Sequence, residues 1–215
     1  MLALGGGRRL CHARQGLTMK RLKLSVYDFD GTLYGGDATF DFWKYLLKSG
    51  WWRISFLPLQ CMCWIFWKAG CMKTERFKEI FLAAAPRKGL QVAVADFWRI
   101  HEKKIFPWAF SELENDARRG FMCVCVSASP RFLLEPVLEE LGFDAVLCTE
   151  MENGKVVSRN CKGEEKVKRL YAFYEGTPFD IVKMISDSDD DLPLYELAER
   201  RFRVEKDGTR KEMRS

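Results

Sequence analysis

The chain has 215 residues, 47% of them apolar, enough for one large domain or a core domain with an insertion. Its net charge of +5 is local: residues 1–23 hold six Lys or Arg and no acid, which leaves 29 bases against 30 acids in the remainder. A balanced body without a basic stripe excludes nucleic acid as a natural partner. The eight cysteines contain no CxxC pair and several sit in apolar runs, so they read as reduced thiols of a cytoplasmic protein, mostly core filler.

Residues 1–18 carry basic residues and glycines but lack the apolar run of roughly 7–15 residues that a secretory signal requires. They are expected to be a disordered extension, with Met19 as an alternative start. A strand follows, built on Leu22, Leu24, Val26 and Phe29, and it ends in the heptapeptide YDFDGTL at 27–33. Residues 37–110 read mainly as helices, in the segments DFWKYLLKSG, KTERFKEIFLAAA and QVAVADFWRIHEKKIF, punctuated by Pro58, Pro86 and Pro107. A helix ending near Gly120 leads into the strand-like run FMCVCV at 121–126, which stops at Ser127. Then come a helix in LLEPVLEELGF, a strand in DAVLCTEM, and a hairpin signal at Asn153-Gly154. The last predicted elements are a lysine-rich helix, EEKVKRLYAFYEG, and the strand IVKMIS, which ends in DSDDD. Such strand–helix alternation predicts an α/β fold: a Rossmann-like parallel sheet with helices on both faces. The core would comprise 19–36 and 111–215, and 37–110 would be an inserted helical cap.

Two acids at the end of a buried strand need an offset, because unpaired buried carboxylates are costly. If the strand runs on through Asp30, then Asp28 and Asp30 face one cleft at its carboxyl end, where open α/β sheets place their sites. An ordinary turn that happens to contain Asp and Gly is the competing explanation. Ser127 and Asp187 also fall where a predicted strand stops, and Lys166 lies at the start of a helix within reach of the same edge. Singly, a serine there caps a helix and a lysine is solvated. Together they make a phosphate site, since a carboxylate attacks an anionic phosphoryl group only when its charge is neutralised, as by magnesium and a lysine. The acids at 187, 189, 190 and 191 lack the spacing of a twelve-residue calcium loop.

DFDGTL, a serine after an apolar strand, a helix lysine and SDSDDDLP, in that order, resemble the four motifs of the haloacid dehalogenase-like phosphatases over about 22–203. The resemblance implies roles. Asp28 would be the nucleophile that forms an aspartyl-phosphate, and Asp30 the acid that protonates the leaving alcohol and then activates water. Magnesium would be held by Asp28, the carbonyl of Asp30 and Asp187, with Asp191 orienting a water on the metal. Ser127 and Lys166 would bind phosphoryl oxygens. A leaving alkoxide needs a proton whereas a halide does not, so an acid at position 30 favours phosphomonoester hydrolysis over dehalogenation. The helical insertion is similar to the cap of the phosphoserine phosphatase-like subgroup. SASPRFLLEP, NCKGEEKV and SDSDDDLPLYELA look more like its HAD-IB branch, which includes phosphatidylglycerophosphatase C. Ser186 and Ser188 stand where phosphoserine phosphatases carry glycines, a departure that speaks against a serine phosphate.

The substrate question lies in the cap. Residues 51–70 hold four of the seven tryptophans, and fourteen residues between Arg53 and Lys68 carry no charge. As a helix these cover about 21 Å, short of the roughly 30 Å bilayer core. Three alternatives remain: cap core or dimer contact, a membrane-spanning segment, or peripheral membrane contact through 51–68, which would bring the cleft to a phospholipid such as phosphatidylglycerophosphate at the inner face of the membrane. Without that contact a small soluble phosphomonoester is the expected substrate. A non-catalytic lipid-binding module on the same fold would have no use for the acids at 28, 30, 187 and 191.

Overall fold

The computed structural model describes residues 21–213, so the extension and the alternative start at Met19 lie outside the described residues. Its frame is a six-stranded sheet in the order β3-β2-β1-β6-β7-β8. The strands are β1 (Leu22–Tyr27), β2 (Met122–Pro130), β3 (Ala145–Thr149), β6 (Phe179–Ser186), β7 (Ala198–Val204) and β8 (Arg210–Glu212). The first five are parallel and β8 is an antiparallel edge. The order reverses between β1 and its two neighbours, the place where a doubly wound sheet opens a crevice at its carboxyl edge.

Period-two alternation explains how both faces are covered. Leu24, Val26, Val124 and Val126 pack on one face beneath Leu170 of α7 (Glu164–Phe173) and Leu194 of α8 (Leu192–Tyr195). Tyr27, Cys123, Cys125 and Ile185 pack on the other, against α5 (Pro107–Arg118) and α6 (Arg131–Glu140). That is the α/β fold expected from the strand–helix alternation. A buried charge cluster pins α5 to the sheet: Lys183 of β6 lies 2.5 Å from Glu112 and 2.7 Å from Asp116, and the Tyr27 hydroxyl donates to Asp116.

The insertion between β1 and β2 contains α1 (Ala38–Lys48), a 3-10 segment (Trp51–Phe56), α2 (Leu57–Lys68), α3 (Thr74–Phe81) and α4 (Leu90–His101). Phe42 of α1 and Phe97 and Trp98 of α4 belong to the same apolar cluster as the sheet face beneath them. Pro58 sits in the first turn of α2, where its missing N–H costs nothing, and so begins that helix instead of bending it. Asn153-Gly154 turns the short hairpin of β4 (Met151–Glu152) and β5 (Lys155–Val156), with φ of 51° and 75° as a type I′ turn requires.

Two strand ends differ from expectation. β1 stops at Tyr27 and does not continue through Asp30: the Asp28 amide makes one further bond, 3.0 Å to the Ile185 carbonyl, and Gly31 then takes φ +73° and turns the chain. β2 does not stop at Ser127 but continues to Pro130, with a register shift against β3 after Ser127. Among the described residues all cysteines are free, five of them buried.

Candidate active site

The carboxyl ends of β1, β2 and β6 and the first turn of α7 surround a cleft of about 560 Å³ lined by Asp28, Asp30, Ser127, Lys166, Asp187 and Asp191. All six side chains singled out from the sequence therefore meet in one place. Lys166 Nζ lies 2.7 Å from Asp28 Oδ1 and donates to Asp191 Oδ2 at 2.8 Å. The Ser186 hydroxyl donates to the same Asp191 oxygen at 2.7 Å, so this serine fixes an acid of the site. Thr32 lies between the two motifs: its Oγ1 is 3.4 Å from Asp28 Oδ2 and 3.2 Å from Asp187 Oδ1, and accepts from the Asp187 amide at 2.9 Å. Asp28 and Asp30 share the cleft through the loop after β1, since the strand expected to align them ends at Tyr27, before either acid.

Asp30 is held from two sides. The Ala38 amide at the start of α1 donates to Oδ1 at 2.6 Å, and the Ser129 hydroxyl donates to Oδ2 at 2.5 Å. Ser129 in turn contacts Thr39 at 2.8 Å, and its amide donates to Ser127 Oγ at 3.1 Å. The shift in β2 after Ser127 thus lets two serines face one cleft. Burial raises Asp28 to about 6 against the pull of Lys166. Burial, with the charge of Asp37, raises Asp30 to about 7. Asp30 therefore keeps its proton to higher pH than Asp28, the order that an acid beside a nucleophile needs. Burial works against the Lys166 ammonium, but Asp28 and Asp191 overcome it and hold the charge firmly.

The donors suit a hard cation, which prefers oxygen ligands. Burial raises Asp187 above the usual carboxylate range. Asp191 Oδ1 is buried and makes no hydrogen bond, its 2.7 Å approach to Lys166 being an ionic contact only. A Cβ at Gly31 would lie 2.1 Å from Asp187 Oδ2, so the absence of a side chain there leaves Asp187 its place. Among the described residues no three His, Cys, Asp or Glu side chains converge as a metal cluster, so a dication here would complete its oxygen shell from backbone carbonyls, hydroxyls or water. The other acids of the DSDDD run are engaged elsewhere, Asp189 with Arg203 at 2.6 Å and Asp190 with Lys162 at 2.8 Å.

Sequence reasoning passed over Thr32, Ser129 and Lys78. The first two lie inside the quoted motifs. Lys78 carried no local signal, being an ordinary lysine on an amphipathic helix, and only the fold brings it from α3 into the cleft. It donates to the Ala128 carbonyl and to Asn160 Oδ1, and burial lowers it to about 8.

A profile of the haloacid dehalogenase-like hydrolases matches residues 26–196. No curated protein matches the chain. Among solved structures, a protein of unknown function from Bordetella pertussis Tohama I shares 20% identity at a TM-score of 0.74, covering 86% of this chain and 91% of that one. A phosphoserine phosphohydrolase-like protein from Francisella tularensis shares 14% identity at 0.58, over 86% and 88% of the two chains. A phospho-aspartyl intermediate analogue of phosphoserine phosphatase shares 18% at 0.53, over 85% and 86%. These likenesses define the fold. The chain belongs to the haloacid dehalogenase-like hydrolase family. Asp30 is the second carboxylate of the cleft, a proton donor of the kind that a leaving alkoxide calls for.

Proposed function

We propose that the chain is a magnesium-dependent phosphomonoesterase working through an aspartyl-phosphate on Asp28. The observation that carries this reading is the pair of environments in one cleft: Asp28 against the Lys166 ammonium at 2.7 Å, and Asp30 held so as to keep a proton near pH 7. Asp28 Oδ attacks phosphorus while Asp30 gives its proton to the departing ester oxygen. Asp30, now ionised, takes a proton from the water that attacks phosphorus and frees phosphate, returning Asp28 as a carboxylate. Lys166 and the Ser127 hydroxyl hold phosphoryl oxygens, and Ser129 keeps Asp30 pointed at the leaving group. Magnesium would be held by the carboxylates of Asp28 and Asp187 and the carbonyl of Asp30, with Asp191 behind them. When bound it neutralises charge on the transferring group.

The substrate reading favours a phosphomonoester with an apolar body, such as a lipid phosphate of the phosphatidylglycerophosphate type, because Phe40, Trp64, Trp67, Phe77 and Phe81 form the outer wall of the cleft. A small phosphoserine-like substrate has the fold of the phosphoserine phosphatases in its favour. Wild-type protein with magnesium should release phosphate from p-nitrophenyl phosphate, and Asp28→Asn should lower turnover by about 10⁴-fold or more while keeping the circular dichroism of the folded protein. Turnover by Asp28→Asn at the wild-type rate would contradict the assignment.

A further inference from the structure

α2 is built inside out for a helix in water. Its buried positions are Gln60 and Cys63, and Gln60 anchors the helix inward, accepting from Trp43 Nε1 at 2.9 Å and donating to the Phe81 carbonyl at 3.0 Å. The outward side and the preceding 3-10 segment present Trp51, Ile54, Leu59, Met62, Trp64 and Ile65, with Trp51 86% and Ile65 62% exposed. An ordinary surface helix has the reverse pattern, and a contiguous apolar patch on this scale marks a contact surface. These exposures remove the cap-core alternative for the run, and among the described residues no helix is long and apolar enough to cross a membrane.

Three features select the occupant. Residues 51–73 contain Arg53, Lys68 and Lys73 and no acid, so the patch complements an anionic surface. Its two ends are marked by a tryptophan with a cation over its ring, Arg53 on Trp52 at 5.1 Å and Lys68 on Trp67 at 5.0 Å, the side-chain types that settle at the headgroup level of a bilayer. Trp64, Trp67 and Lys68 also line the mouth of the catalytic cleft, so whatever covers α2 lies at the entrance. From this exposed, acid-free patch at the cleft mouth we infer that α2 and the 3-10 segment before it dock flat on an anionic lipid bilayer, so that the cleft takes its phosphomonoester from the membrane surface. The docking stands on the surface alone, and the delivery of substrate rests on the phosphatase reading above.

The test uses the full chain, vesicles of phosphatidylcholine alone or mixed equally with phosphatidylglycerol, and the triple variant Trp51→Ser/Ile54→Ser/Ile65→Ser, whose positions lie outside the cleft lining. Wild type should sediment with the mixed vesicles, and less with neutral ones or at high salt. The triple variant should bind more than about tenfold more weakly. It should keep its circular dichroism and its turnover of p-nitrophenyl phosphate while losing that of phosphatidic acid presented in mixed vesicles. Ile65→Glu alone should weaken vesicle binding in the same direction. Wild type left in the supernatant with mixed vesicles overturns the inference. So does a wild-type dimer in ultracentrifugation that the triple variant dissociates, since the patch then belongs to a second copy. Asp28→Asn should sediment as wild type does, and a wild type that binds the mixed vesicles but turns over neither p-nitrophenyl phosphate nor phosphatidic acid would remove the phosphatase reading and leave the docking surface standing.

Discussion

At the scale of single residues, the site depends on a side chain that is missing. Gly31 takes φ +73°, and the space a Cβ would occupy lies 2.1 Å from Asp187 Oδ2 and 2.6 Å from its Cγ. Gly31→Ala therefore combines backbone strain with displacement of an acid proposed to hold magnesium. The expected outcome is a folded protein whose kcat/KM falls about 100-fold and whose magnesium half-saturation rises, measured by titrating the metal against turnover. Unchanged metal dependence would show that Asp187 has room to move. The six residues singled out from the sequence were legible from the order of their motifs and from expected strand ends and a helix start, although β2 runs on past Ser127 and β1 stops short of Asp30. Thr32 and Ser129 were printed inside those motifs, yet their roles depend on which hydroxyl faces which carboxylate, and that is fixed by the turn after Asp28 and the register shift after Ser127.

At the scale of elements, α3 ties the insertion to the loops at the sheet edge. Lys78 donates to Ala128 and Asn160, Glu75 accepts from the Asn160 amide at 3.0 Å, and Glu79 accepts from the Val156 amide at 3.2 Å. The lysine is the costly member of this latch. Burial lowers it from 10.5 to about 8, so between those values the unfolded chain binds more protons than the folded one and stability rises with pH. Lys78→Met removes that charge, and the Ala128 carbonyl keeps a donor in Thr149 Oγ1 at 2.6 Å. Denaturant midpoints should therefore show the variant within about 1 kcal/mol of wild type at pH 7, with wild type gaining on it from pH 8 to 10. Its kcat/KM should fall about tenfold or more, since a cation lining the cleft is lost. A pH-independent difference in stability would mean that Lys78 is not buried in solution. Helices were legible here from their apolar period, but the packing of α3 on the loop around Asn160 joins residues some eighty positions apart, which no local pattern records. The same holds for β7 and β8, whose charged, weakly alternating sequences gave no strand signal; β7 forms because β6 offers it an edge, and β8 pairs on β7 in turn.

For the whole molecule, the parallel sheet and its two apolar faces followed from strand–helix alternation, since strands apolar at consecutive positions have two faces to bury and can bury both only between helix layers. What alternation did not convey was how α1 and α4 share the sheet's own apolar cluster while α2 turns its apolar side outward. The architecture sets a buried acid pair, a lysine and two serines around one cleft, and the phosphatase reading depends on phosphorus being transferred to Asp28. Asp30→Asn protein should form that ester and hydrolyse it slowly. Mixed with magnesium and ³²P-labelled substrate, quenched in acid and digested, it should yield one labelled peptide, alkali-labile, with the phosphoryl group on Asp28. Label on any other residue, or none while substrate is still consumed, would contradict it.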